Sequence, residues 1–357
     1  MVSREPKTKP AKTDNSSGSG ERSRVTINDI ARIANVSKKT VSRVINNSPL
    51  VREDTREHVK AIIEKHGFAP DPQARALAFR RSFLIGLVYD NPSPQYVVNI
   101  QHGILDSLEG TDYQLVLQPV DRADPEHRGR IRRFVERHRP SGLIMPPSVS
   151  EDESIAEMLR TLGCDYTRIA SFELDAPHRT VRTRDAEGAA QAARHLAGLG
   201  HTRIAHIHGP KNFRSAHERM LGFRQGLAEF GLELSDSMTL EAGYTFDTGV
   251  QAADNLLSRA RRPTAIFAGN DEMAIGIYAS AQKAGMRVPE DLSVVGFDDT
   301  PMAARIWPQL TTVRLPIREM GREAARSLLE RTAGGPSRAN KCFTPEIVVR
   351  QSTTKLP

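Results

Sequence analysis

From Phe83 onward the chain alternates short apolar runs with helical periods, and no other feature constrains its fold as tightly. Ile85–Tyr89, Leu115–Leu117, Leu143–Met145, Arg168–Ala170, Ile204–His208, Ala265–Ala268 and Ser293–Phe297 read as strands. Between them, Val97–Leu108, Glu187–Leu199, Glu218–Phe230, Thr248–Ser258 and Glu272–Ala284 repeat apolar residues at three and four and read as helices. Strands that alternate with helices pair in parallel and are covered on both faces. Over roughly 270 residues this predicts two doubly wound subdomains in preference to one large sheet.

The N-terminal part follows another pattern. Residues 1–24 are rich in Lys, Pro, Ser and Gly, and their scarce apolar residues cannot offset the entropy of ordering, so a disordered tail is expected. Three helices follow within 25–69. Thr26 is an N-cap with Asp29 in capping-box position ahead of Ile27, Ile30, Ile33 and Ala34; Ser37 caps Lys38–Ile45; the third helix runs from Glu53 to Lys65 with acids at its positive end. Asp71 and Pro72 then announce a helix of about two turns, placing a short helix and linker at 70–82. Charge is divided just as sharply. The formal +7 of the whole chain equals the charge of residues 22–82, which hold thirteen Lys/Arg and six acids, whereas residues 83–357 hold thirty-three and thirty-four. Such partition suits a polyanion-binding module on an electrically balanced body.

The first two helices have the lengths and three-residue spacing of a helix-turn-helix, whose second helix enters the major groove by its N-terminal end. On that helix Lys38, Lys39 and Arg43 present long donors able to reach guanine O6/N7. Thr26, Ser37, Thr40, Ser42 and Asn46 are short hydrogen-bonding residues suited to phosphate oxygens. From Thr26 to Asn46 the residues match T-[IL]-x-D-[IV]-A-x-x-A-G-V-S-x-x-T-V-S-R-V-[IL]-N at nearly every position, and the chain resembles the lactose-repressor/galactose-repressor family of bacterial transcription regulators. Asn35 stands where the family has Gly, and Arg52 where relatives carry a Ser cap. The resemblance implies that residues 70–82 are a hinge helix that pairs with its dimer mate on the operator, Leu77 wedging into the minor groove with Gln73 and Ala74 at the groove floor.

For the body the resemblance implies a periplasmic-binding-protein-like fold, its N-subdomain about 83–184 and 316–342 and its C-subdomain about 185–315 and 343–357, with an effector in the cleft between them. Ligands of such sheets sit at the carboxyl ends of strands, which selects Asp90, Asn91, Asn270 and Asp298, together with Phe213 and Ser215 in the loop leading to Arg219. Arg219 opens an R-x-x-G-F pattern, Asn270 an N-D-x-M-A-x-G pattern and Asp298 the acids of V-G-[FY]-D-D; Tyr244, Ser171, Pro146 and Leu315 fall at further lining positions. Carboxylate, amide and guanidinium groups beside flat aromatics suit the adjacent hydroxyls and apolar face of a sugar. Asp271 reads as a helix cap and Asp299 as structural.

Two cysteines, Cys164 and Cys342, give neither a disulfide framework nor a ligand spacing, so a reducing cytoplasm is expected. Neither a signal peptide nor an 18-residue apolar run occurs. His206 and His208 lack a third metal ligand, and no G-x-S-x-G elbow, P-loop or H-E-x-x-H is present, so neither metal, cofactor nor enzyme activity is expected. The sequence thus predicts a DNA-binding regulator, a repressor of carbohydrate-utilisation genes, partnered by a pseudo-palindromic duplex operator, a sugar-like effector and a second copy of itself. A sugar-binding module without DNA function and a purine-responsive regulator of the same fold are the competing readings. Without a heptad tail before Pro357, a homodimer is expected and not a tetramer.

Overall fold

The computed structural model describes residues 25–45, 48–68 and 82–356, which fall into two units, a headpiece and a body. Asn46, Gln73, Ala74 and Leu77, and with them the tail and hinge-helix expectations, lie outside the described residues.

In the headpiece α1 (Ile27–Ile33), α2 (Lys38–Ile45) and α3 (Glu53–Lys65) enclose a small core of Ile30, Ala31, Ala34, Val41, Val44, Val51 and Val59. Local chemistry sets the ends. Thr26 and Asp29 form the capping box, and Ser37 Oγ accepts from the Thr40 amide at 3.0 Å. Asn35 turns the chain at φ +51°, the left-handed conformation that glycine or asparagine supplies most cheaply. Arg52 makes no side-chain cap on α3, leaving Glu53 and Asp54 to meet the helix dipole.

The body has two six-stranded sheets. The first has the order β11-β5-β4-β3-β1-β2, all parallel, from β1 (Leu84–Tyr89), β2 (Gln114–Pro119), β3 (Gly142–Met145), β4 (Asp165–Ala170), β5 (Thr180–Thr183) and β11 (Cys342–Phe343). Around it lie α4 (Pro94–Leu108), α5 (His127–His138), α6 (Glu153–Thr161) and α11 (Ile317–Thr332). The second has the order β12-β10-β9-β8-β6-β7, from β6 (Ile204–His208), β7 (Thr239–Glu241), β8 (Ala265–Ala268), β9 (Ser293–Asp298), β10 (Thr311–Arg314) and β12 (Glu346–Val348). Only β12 pairs antiparallel there. Its helices are α7 (Asp185–Gly198), α8 (Arg214–Ala228), α9 (Phe246–Leu257) and α10 (Asp271–Lys283). The chain crosses between sheets after Thr183, after Arg314 and after Phe343, so Phe343 belongs to the first sheet, one residue beyond the expected boundary. Helices α7 and α8 touch backbone to backbone at Gly222, where a Cβ would strike the Ala186 carbonyl. That contact seats the middle of α8 on the start of α7, beside Asp185 in the cleft wall. No described helix is long and apolar enough to cross a membrane.

Candidate functional site

In the headpiece, burial of Val41 and Val44 turns the opposite side of α2 outward. Lys38 and Lys39 are exposed and Arg43 is half-buried, and none of the three pairs with a described carboxylate. Ser37 and Thr40 share one hydrogen bond, 2.9 Å between hydroxyl oxygens, so one of their two protons remains to be donated outward. Thr26 is committed to Asp29, donating to Oδ2 at 2.6 Å. Ser42 is half-buried on the same helix.

Both sheets of the body aim their carboxyl ends at one cleft. Its wall takes Asn91, Ser93, Tyr96, Pro147, Ile169 and Ser171 from the first subdomain and Phe213, Ser215, Arg219, Tyr244, Asn270 and Asp298 from the second, with Thr183, Asp185, Leu315 and Met320 near the crossings. The free volume within this wall, about 30 Å³, holds roughly one water, while beside it the cleft opens to about 850 Å³ lined by Arg122, Glu151, Phe172, Asn212 and Arg214. Contacts across the cleft link its two sides. Arg122 Nη1 donates to the Ser148 and Asn212 carbonyls at 3.1 and 3.3 Å, bridging the subdomains. The Arg214 amide donates to Glu151 Oε2 at 3.0 Å, and the Arg214 guanidinium lies 4.2 Å over the Phe172 ring. Phe213, the N-cap of α8, has no capping side chain, so Glu151 of the opposite subdomain does that work. Burial pushes Glu151 above the usual carboxylate range in spite of these donors.

Arg219 is the hub. It stacks 3.7 Å over Phe297, donates through Nε to Asp185 Oδ2 at 2.9 Å and through Nη1 to the Gly269 carbonyl at 2.6 Å. Asp185 Oδ1 takes the Thr183 hydroxyl, so this ion pair is satisfied on both sides. Asp298 has only the remnant of Arg219, Nη2 at 3.8 Å, and its buried Oδ1 makes no hydrogen bond. Burial therefore prevails over the pull of Arg219, and the carboxyl is pushed up to about 8, a neutral acid at pH 7. Asp298 and Tyr244 hold φ of +107° and +60°, strain of the kind that collects at binding sites. Tyr244 lies against the Gly209 backbone, where a Cβ would run into its ring, and meets Phe213 edge-on with centroids 5.4 Å apart. The Ser171 hydroxyl, like Asp298 Oδ1, is buried without a partner, and the Tyr244 hydroxyl has only Ser215 beside it.

Of the residues selected from sequence, Asn91, Ser171, Phe213, Ser215, Arg219, Tyr244, Asn270 and Asp298 converge on this cavity, as does Leu315. Asp90 is not in its wall and instead accepts the Arg122 amide at 3.3 Å; Pro147 takes the place expected of Pro146. Asn270 lines the cavity with a committed amide, capping α10 through Met273 N and donating to the Tyr244 carbonyl, both at 3.0 Å. The helix cap is thus Asn270, and Asp271 is buried against the Thr300 amide and the Thr312 hydroxyl, both at 2.6 Å. Asp299 is held by Arg314 and Arg350. His206 is fully buried, bonded to the Phe267 carbonyl, and no cluster of metal-binding side chains occurs among the described residues. Sequence reasoning missed Asp185 and Glu151. Asp185 follows β5, whose Thr-Val-Arg-Thr carries almost no apolar signal, and Glu151 acts on a helix 63 residues away.

Residues 26–71 match the model for bacterial regulatory proteins of the lacI family, and residues 193–353 that for a periplasmic binding protein-like domain. The chain is 33% identical over 342 residues to the HTH-type transcriptional regulator DegA of Bacillus subtilis, covering 93% of this chain and 99% of that protein. Among solved structures it is similar to a lac repressor dimer bound to operator and the anti-inducer ONPF, with TM-score 0.78 and 28% identity over 92% of this chain and 99% of that one. It is also similar to a complex of the transcriptional regulator CelR with cellobiose, with TM-score 0.70 and 30% identity over 92% and 100%.

Proposed function

The chain belongs to the lacI family of bacterial regulatory proteins and is a DNA-binding transcription regulator, and we propose that it acts as a homodimeric repressor controlled by a neutral, sugar-like effector in the body's cleft. One observation carries the effector reading. Ser171 Oγ and Asp298 Oδ1, buried polar atoms without partners, face the same cavity beside Tyr244 OH, whose nearest hydroxyl is that of Ser215, and this convergence on one cavity, more than the absence of partners itself, is what a ligand would complete.

Their chemistry selects the ligand. Asp185 neutralises the cavity's one arginine and Asp298 is uncharged at pH 7, so no free cation in its wall awaits an anion. Hydroxyls that donate and accept fit the orphaned groups, and the Tyr244 and Phe213 rings offer flat faces to a pyranose. The cellobiose bound by the CelR relative supports a sugar over a purine. Because the space between these groups is far smaller than a hexose, an effector that reaches them parts Tyr244 and Phe213 from the opposite wall. It thereby loosens the grip of Arg122 and Glu151 on the loop before α8, and the two subdomains reorient. Coupling to the operator is expected at about 1–3 kcal/mol. In the headpiece, Lys38, Lys39 and Arg43 read bases, Ser37, Thr40 and Ser42 meet phosphates while Thr26, its hydroxyl and amide both given to Asp29, does not, and two copies read a pseudo-palindrome.

Selection from a random duplex pool tests the first half: enrichment of a palindrome is expected, and no enrichment overturns it. Thermal-shift screening against neutral sugars and nucleobases tests the second. A sugar that raises Tm and changes operator affinity is expected; a nucleobase alone doing so overturns the effector class.

A further inference from the structure

All strands of the first sheet run parallel and end at the cleft, so the segments that precede them gather at the opposite pole of the body. The polypeptide from the headpiece enters there. The Ser82 hydroxyl donates to the Arg139 carbonyl, and the Phe83 carbonyl accepts from Gln114 N at 2.9 Å. Helix α5 ends at the same place, and its arginines divide in two groups. Arg130, Arg132 and Arg133 pair with Asp124, Glu136 and Glu126, and Arg128 donates to Ser154. Arg137 and Arg139, nearest the entry point, are exposed and pair with no described carboxylate. Arg338, ahead of β11 at this pole, is likewise exposed and pairs with no described carboxylate. The acids here are Glu109 and Asp112 ahead of β2 and Asp165, which Arg331 already holds. A body of nearly balanced charge thus presents Arg137, Arg139 and Arg338 without a described carboxylate partner at the pole where the chain enters it.

We propose that this pole is a second DNA contact, a phosphate-binding surface for duplex flanking the site gripped by the headpiece. The proposal rests on the DNA-binding reading above and extends it to the body. The fourteen peptide steps from Phe68 to Ser82, at about 3.5 Å each, can span at most roughly 50 Å. Duplex of that length carries about 30 phosphates. Exposed arginines meeting phosphate release counterions and add affinity without reading sequence. The negative end of the α5 dipole would also favour cations here, a purely structural role that predicts no effect on DNA.

The test is the salt dependence of binding by the full chain to two duplexes carrying the selected operator, one cut at its ends and one with flanks of about 15 base pairs. For Arg137→Gln/Arg139→Gln on the flanked duplex, the slope of log K against log salt should fall in magnitude by about 0.9 for each phosphate no longer neutralised, up to about 1.8 per protomer. On the short duplex it should match the unaltered protein, which also shows that the headpiece is intact. Arg261→Gln/Arg262→Gln removes the same charge from exposed positions ahead of β8, at the far pole of the second sheet, and should leave both slopes unchanged. An unaltered slope in the first variant on flanked DNA, or an equal fall in the second, overturns the proposal while leaving the DNA-binding reading intact. Binding to neither duplex by the unaltered protein overturns both.

Discussion

Asp298→Asn should make the body more stable at neutral pH and by an amount that depends on pH. Asp298 is 6% exposed, its Oδ1 has no donor, and Arg219 turns Nε to Asp185 and Nη1 to Gly269, leaving Nη2 no closer than 3.8 Å. The folded pKa of about 8 stands above the ordinary 3.8, so between about pH 4 and 8 the native state keeps a proton that the unfolded chain has released. Stability then falls as pH rises, by about 1.36 kcal/mol per unit, reaching roughly 4 kcal/mol by pH 7 before levelling near pH 8. Asparagine keeps the shape without the titration. Its advantage over the native residue should therefore grow across that window, approaching the slope of one proton. Asp271, pushed up to about 7 by burial, titrates in the same range and remains in both proteins, so the difference between them is the diagnostic quantity. Urea unfolding followed by far-UV circular dichroism at pH 5, 6, 7 and 8 measures it. A difference independent of pH would show that Asp298 is ionised in the native state and refute the reasoning.

Glu151→Gln keeps the shape of the cross-cleft cap but removes its charge, at a cost of about 1 kcal/mol; the Arg214 and Ser215 amides should exchange with deuterium about fivefold faster, and unchanged exchange would remove Glu151 from the contacts across the cleft. Sugar hydroxyls that donate to both Asp298 oxygens favour its ionised form, so effector binding at pH 7 should release close to one proton and tighten toward pH 8; a calorimetric enthalpy indifferent to buffer would contradict this. Arg43→Lys loses the bidentate fork and should cost about 1–3 kcal/mol at the base it reads, seen as relaxed preference at one operator position. Gly222→Ala drives a methyl into the Ala186 carbonyl and should cost about 3 kcal/mol or more, so a variant with native urea midpoint would refute the close approach of α7 and α8.

The headpiece was legible because its signals are local. Thr26 with Asp29, Ser37 before Lys38 and the acids at Glu53 and Asp54 mark helix ends from their own neighbourhoods, and the bounds of α2 and α3 coincide with those expected. The apolar strands of the body were legible for the same reason, Ile204–His208 and Ala265–Ala268 to the residue. Strands that escaped are short and rich in threonine, Thr180–Thr183, Thr239–Glu241 and Thr311–Arg314, held by neighbours far along the chain and not by their own periodicity. The omission carried into the site. The carboxyl-end rule could not select Asp185 while β5 was unseen, and after β1 it selected Asp90 together with Asn91 although only the second faces the cavity.

What sequence reasoning could not reach is how the acids of the cleft divide their labour, because that division depends on burial and on a single guanidinium. Three carboxyls, Asp185, Asp271 and Asp298, lie buried within reach of one another and only Arg219 is there to balance them. Asp185 takes the ion pair, Asp271 takes a backbone amide and the Thr312 hydroxyl, and Asp298 is left with neither. By stability alone Asp298 is a poor choice, and a fold selected only for stability would replace it. Its retention makes sense if the missing partner arrives with the ligand. The headpiece shows the opposite arrangement, with Lys38 and Lys39 exposed and paired with no described carboxylate. One module exposes cations and the other buries an acid that no donor meets, so the net charge of the chain lies in residues 22–82 and its strongly shifted carboxyls lie in the body.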